Sequence, residues 1–211
     1  MRVPMLRIRG VLLLAAALSL SGCFARASAP TIRHYRLSYA PPRIEASPAP
    51  IVLRIAPLRI DAVYASEAIL YREGEFHVEA YSRHRWSADP ARMITDLLQR
   101  DLAASGAFRA VQQGPSTLPS DYILRGEIEE IEEQSLPECR AHLRLRFLLT
   151  RANARASADS VAFQKVYTVD EPTRCGHADA LVEAMSRALA RLSEQLLGDV
   201  LAAVGASENP R

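Results

Sequence analysis

Three cysteines carry the reactive chemistry of this sequence. Cys23 closes the tetrapeptide Leu20-Ser21-Gly22-Cys23, directly after an apolar run. A thiol at a bilayer surface, preceded by small residues that let a peptidase grip extended backbone, resembles a lipobox. The chemistry it suits is acylation of the Cys23 thiol, cleavage before Cys23 and acylation of the new amine. The other reading is an ordinary signal peptide with an incidental cysteine. Cys139 and Cys175 are then left as a pair in an oxidising compartment, where disulfides persist. If residues 140–151 and 161–169 form a hairpin about Ser157, the two cysteines stand opposite one another at its open end. A zinc site joining them to His142 and His177 is the alternative, but Cys-x-x-His and Cys-x-His lack the usual paired spacing. Unpaired thiols are the third.

Nothing else is arranged for catalysis. There is no Walker loop, dinucleotide fingerprint, Gly-x-Ser-x-Gly elbow or His-Glu-x-x-His, and no carboxylate pair spaced for acid–base work. The histidines His34, His77, His84, His142 and His177 are scattered. Glu127, Glu129, Glu130, Glu132 and Glu133 interleave with Ile128 and Ile131, which predicts a strand with a solvated acidic face or, more sharply, a dock for a basic partner. Tyr81, His84, Arg85 and Trp86 cluster at a predicted strand end. Trp86 there seals a core edge, or Tyr81, Arg85 and Trp86 touch a membrane or partner.

The elements that position these residues follow from patterning. Arg2, Arg7 and Arg9 precede an apolar run over 11–20, a basic n-region and a short h-region. That run is half of the roughly twenty residues a spanning helix needs. Residues 1–22 are therefore read as a removed signal peptide. Their loss takes away three arginines and no acid, so the formal charge of +2 becomes −1, which gives no footprint for nucleic acid. Residues 23–50 form the lipidated cysteine, an Ala/Ser/Pro-rich tether and a short strand with Tyr35, Leu37 and Tyr39 on one face. Residues 51–205 form one domain and 206–211 a disordered tail.

Within that domain, apolar β-branched runs predict strands at 51–55, 68–71 and 76–85, the last two joined by a turn at Gly74. Alternation places Phe76, Val78, Ala80 and Ser82 on one face, and His77, Glu79, Tyr81 and Arg83 on the other. Asp89 caps a helix that begins at Pro90, with Met93, Ile94, Leu97, Leu98 and Leu102 as its stripe and Gly106 as its stop. Strands follow at 108–111 and 121–133, then the cysteine hairpin. A terminal helix over 177–204, ending at Gly205, carries Leu181, Val182, Met185, Leu189, Leu192, Leu196 and Val200. The fold class is α+β: a single domain, with an antiparallel sheet and two amphipathic helices packed on one face.

The order of elements carries a resemblance. The motifs are Tyr35-Arg36-Leu37, Leu53 to Leu58, Ile69-Leu70-Tyr71-Arg72 before the Gly turn, and Tyr81 through Trp86 to Pro90, all behind the lipobox. Together they resemble the ABC-type transport auxiliary lipoprotein family, which accompanies mammalian-cell-entry-domain lipid transport systems. The resemblance implies a non-enzymatic protein without a cofactor beyond the N-acyl diacylglyceryl lipid on Cys23. It implies partners: the membrane, a mammalian-cell-entry-domain protein and the ABC permease and ATPase, with phospholipid and further copies of the chain as additional candidates. By resemblance to lipoprotein sorting, Phe24 in place of an aspartate favours the periplasmic face of the outer membrane over the inner. Competing readings are a direct lipid carrier, with a cavity between helices and sheet, and an outer-membrane assembly factor.

Overall fold

The computed structural model describes residues 31–43, 48–114, 119–152 and 160–208. Cys23, Phe24 and the signal peptide lie outside the described residues, so the lipobox reading rests on sequence. Among the described residues, nine strands and two α-helices follow in the order β1 (Arg33–Tyr35), β2 (Ala49–Ile55), β3 (Arg59–Ile60), β4 (Ala68–Glu73), β5 (His77–Trp86), α1 (Pro90–Ala104), β6 (Phe108–Gln113), β7 (Tyr122–Gln134), β8 (Arg140–Arg151), β9 (Val161–Pro172) and α2 (Ala178–Glu208).

The long strand β7 is the spine. One of its edges pairs with β8 from Tyr122↔Arg151 to Gln134↔Arg140, and β8 pairs in turn with β9. Its other edge receives three short strands in succession: β2 at Tyr122 to Leu124, β3 at Glu127 and Ile128, and β4 at Glu133 and Gln134. All three run parallel to β7, and the outer pairs β2 with β6 and β1 with β5 are parallel too. The sheet is therefore mixed, which refines the expected antiparallel one. The physical reason is that the chain from β2 to β4 keeps one direction along β7, and the crossover through β5, α1 and β6 lets β7 arrive parallel to it. Period-two patterning gives the face of a strand and not the direction of its neighbour.

The helix α2 lies against β8 and β9 and α1 against β6 and β3, and one continuous core that includes Leu124, Ile128, Leu143, Leu145, Phe147 and Leu149 holds them. The expected stripes are buried, with Leu181, Met185, Leu189, Leu192, Leu196 and Val200 sealed completely. Gly126 is fixed by packing: a Cβ there would come within 2.6 Å of a Leu58 methyl and 2.7 Å of the Phe147 ring. The α1 start is as predicted, since the Asp89 carboxylate accepts from the Arg92 N–H with Pro90 in the first turn. The α2 end is not: the helix passes Gly205 and continues to Glu208, over residues expected to belong to the tail. An interior glycine costs a helix only about 1 kcal/mol, and the apolar turn before it supplies more than that.

A buried carboxylate ties the helices to the incoming chain. Asp101 on α1, fully buried, accepts from the Tyr39 hydroxyl at 2.6 Å, from Ser193 on α2 at 2.7 Å and from the Arg100 guanidinium at 2.6 and 2.9 Å.

Candidate functional site

Of the residues singled out by sequence, His84, Arg85 and Trp86 lie at the C-terminal end of β5, whereas Cys139, Cys175, Glu133 and Tyr81 come together at one end of the domain, near the β4–β5 and β7–β8 turns and the start of α2. Cys139 and Cys175 are bonded there, their Cα atoms 5.3 Å apart. The bond closes the open end of the β8–β9 hairpin, next to the backbone bond from the Thr173 N–H to the Cys139 carbonyl. The thiols are thereby consumed, and the histidines of the alternative zinc set are engaged elsewhere. Both ring nitrogens of His142 face carboxylates, Nδ1 at 2.6 Å from Asp170 and Nε2 at 3.3 Å from Glu130, while His177 bonds the Cys175 carbonyl.

The acidic run departs from its expected solvated face. Glu132 and Glu133 are each only 1% exposed, although consecutive strand residues point to opposite faces. Glu132 is forked by Arg72, through Nε at 2.6 Å and Nη2 at 3.2 Å, and accepts from the Tyr64 hydroxyl at 2.8 Å. Its hydrogen bonds raise the Arg72 guanidinium above its already high value. Glu133, on the other face, accepts from the Tyr81 hydroxyl at 2.8 Å and the Gly176 N–H at 3.3 Å. Burial first, and then these carboxylates, push the Tyr64 and Tyr81 phenols well above the ordinary tyrosine range. The remaining members pair across the strands: Glu127 with Arg59 at 2.9 Å, and Glu129 with Arg144 at 2.7 Å and with Arg146. A basic partner would have to displace these arginines.

A cavity of about 620 Å³ opens at this end, lined by Tyr71, Glu79, Tyr81, Glu133, Cys175 and Gly176 among others. Its wall is acidic and phenolic. Tyr71 donates to Glu79, a bond that chiefly accounts for its phenol being pushed up to about 12 and for the lowered Glu79 carboxyl.

Tyr81 and Trp86 are core residues, Trp86 being 2% exposed, and Arg85 is turned onto the Tyr81 and His84 carbonyls. Of the three residues named as a candidate contact, Tyr81 and Trp86 are buried and Arg85 is half-buried. The alternation along β5 sets Val78 and Tyr81 on opposite faces, and the buried one is that of Tyr81. Phe76 is 90% exposed and Val78 is exposed, while Tyr81 points inward. β4 pairs with β7 only at Tyr71 and Arg72, so the hairpin apex overhangs the sheet and both its faces are wet until Tyr81. The apolar Phe76 beside a glycine turn, flanked by Glu75 and His77, was the signal in the sequence for a projecting side chain. Among the described residues no helix is long and apolar enough to cross a membrane.

Known proteins place this arrangement. No curated protein matches the sequence. Among solved structures, protein XCC0632 from Xanthomonas campestris is similar at 20% identity with a TM-score of 0.73, covering 83% of this chain and 99% of its own. The hypothetical protein CT253 from Chlamydia trachomatis is similar at 13% identity with a TM-score of 0.56, covering 75% and 99%. Both share the fold. The family model described as the ABC-type transport auxiliary lipoprotein component matches residues 35–196, from the end of β1 to past the middle of α2, and the chain belongs to that family.

Proposed function

We propose that this chain is a non-enzymatic docking component of an ABC-type, mammalian-cell-entry-domain lipid transport system. It is held by an N-acyl diacylglyceryl group on Cys23 at the periplasmic face of the outer membrane. The family match over residues 35–196 carries the reading; the lipobox at Cys23 and Phe24 after it supply the anchor and its membrane. ATP chemistry then belongs to the permease and ATPase partners. The adaptor is favoured over a direct lipid carrier because the apolar stripes of both helices are taken up in the core and are not free to hold acyl chains. Two or three acyl chains, at roughly 0.8 kcal/mol per buried methylene, hold such a protein on its membrane for practical purposes.

The test is expression of the full chain and its Cys23→Ala variant in a Gram-negative host, with separation of the two membranes and gentle co-purification. The expected outcome is wild type in the outer-membrane fraction together with mammalian-cell-entry and permease proteins, and Cys23→Ala in the soluble fraction. Wild type that brings down no transport protein would remove the docking role. Wild type in the inner-membrane fraction would move the anchor to the other membrane.

A further inference from the structure

The apex of the β4–β5 hairpin carries the most exposed large apolar side chain of the described residues, Phe76, with Val78 beside it. The β7–β8 turn lies at the same end, tied to the hairpin by the Ser135 N–H bonding the Arg72 carbonyl, and adds Leu136 at 63% exposure. An aromatic and an aliphatic side chain held out by two turns at one end of a domain need an apolar surface to cover them.

The direction of β1 indicates which surface that is. β1 runs parallel to β5 with Arg33 level with His84 and Tyr35 level with Trp86. β5 travels away from the apex, so Ile32, the residue that leads into β1, stands on the apex side of Arg33. Ten residue steps separate Cys23 from Arg33, at most about 35 Å of chain. The apex lies between roughly 17 Å, counted along β4, and roughly 27 Å, counted along the bulged β5, from the level of β1. A tether of that length is long enough to bring an anchored Cys23 to the level of Phe76 and at most about 8 to 18 Å past it.

We propose that the apex of the β4–β5 hairpin, with Phe76 as its apolar wedge and Leu136 as a second contact, docks on the same leaflet that holds the Cys23 lipid. The inference rests on the anchor reading above. The tether makes this contact intramolecular, so a single aromatic suffices where it would not hold a free protein. The carboxylates around the wedge, Glu73, Glu75 and Glu79, set the kind of surface. They are repelled by anionic lipid and complement the ammonium of a zwitterionic ethanolamine headgroup. The hairpin fits a zwitterionic, ammonium-bearing leaflet.

The test uses the full acylated protein reconstituted in vesicles of phosphatidylethanolamine and phosphatidylcholine, with bromine on the lipid chains as quencher. Acylation of Cys23 is read by mass in the same sample. The native Trp86 is buried and serves as the reference; Phe76→Trp adds a second emitter at the apex. The expected result is an added emission that is blue-shifted and loses about half its intensity to bromine, as at the depth of interfacial side chains. Replacing half of the phosphatidylethanolamine by phosphatidylglycerol reduces that quenching, and Glu73→Gln with Glu75→Gln restores it. Acylated protein whose added emission stays water-exposed and unquenched would overturn the docking hairpin while leaving the anchor intact. Emission that shifts only when a soluble partner domain is added would overturn it in favour of protein contact. Absence of acyl mass on Cys23 would overturn both readings.

Discussion

At the scale of single residues, the fold is held, besides the Tyr39–Asp101 and Tyr71–Glu79 bonds, at three further points by a tyrosine donating to a carboxylate. Tyr64 donates to Glu132, Tyr81 to Glu133 and Tyr167 to Asp199. Burial leads in raising each phenol, and the carboxylate adds to it. For Asp199, burial works against ionisation, but the hydrogen bonds from Lys165 and Tyr167 prevail and hold its carboxyl below the usual range. The sign follows from linkage: a phenol whose folded value lies above its unfolded value of about 10 contributes stability that is complete below that pH and is lost as pH climbs through the raised value. The urea midpoint should therefore be flat from pH 8 to about 9.5 and fall steeply above about 10. Tyr64→Phe, Tyr81→Phe and Tyr167→Phe should each be less stable at neutral pH and lose a share of that alkaline fall. An unchanged alkaline slope in all three would show that other groups govern it. These sites were half legible. Runs of glutamate announce a charged strand, but Tyr64 and Tyr81 stand 68 and 52 residues from their partners, and no local pattern encodes a contact of that range.

At the scale of elements, legibility tracks how local the determining interaction is. The start of α1 was plain because Asp89 and Pro90 act on their own turn. The β8–β9 hairpin was plain because its ladder and its cysteines are centred within one residue of each other. The facing of β5 was not, since it depends on how far β7 extends beneath the hairpin. The cysteine bond permits a test at this scale. It joins residues separated by 36 positions in the sequence, and a closed loop of that size restricts the unfolded chain by about 3–4 kcal/mol. Reduction should lower the unfolding free energy by about that amount while leaving the native circular dichroism spectrum unchanged, because the twelve-residue strands still pair. A loss of native spectrum on reduction at room temperature would mean that the bond is required to form the hairpin, which the dense ladder argues against.

At the scale of the whole molecule, what sequence could not reveal was the spine: the parallel arrival of β2, β3 and β4 on β7 is set by connections far apart in the chain. Its consequence is a sheet with two arms, β2–β6 and β4–β5–β1, attached at different heights to the same strand edge. Two independent arms would melt separately, but three features oppose this. One core runs through both arms and both helices. Asp101 joins Tyr39, α1 and α2 through buried bonds. Leu58, beside β3, donates its N–H to Thr95 of α1 at 3.1 Å. Trp86, the single tryptophan, stands at the end of β5 and reports the β4–β5–β1 arm, whereas far-ultraviolet dichroism is weighted toward the 31-residue α2 on the β8–β9 side. Denaturant unfolding followed by the two probes should give coincident transitions with one midpoint and one slope. Separate midpoints would show that the arm carrying the tether opens on its own, and that the docking end of the protein is a mobile attachment instead of part of the rigid body that presents it.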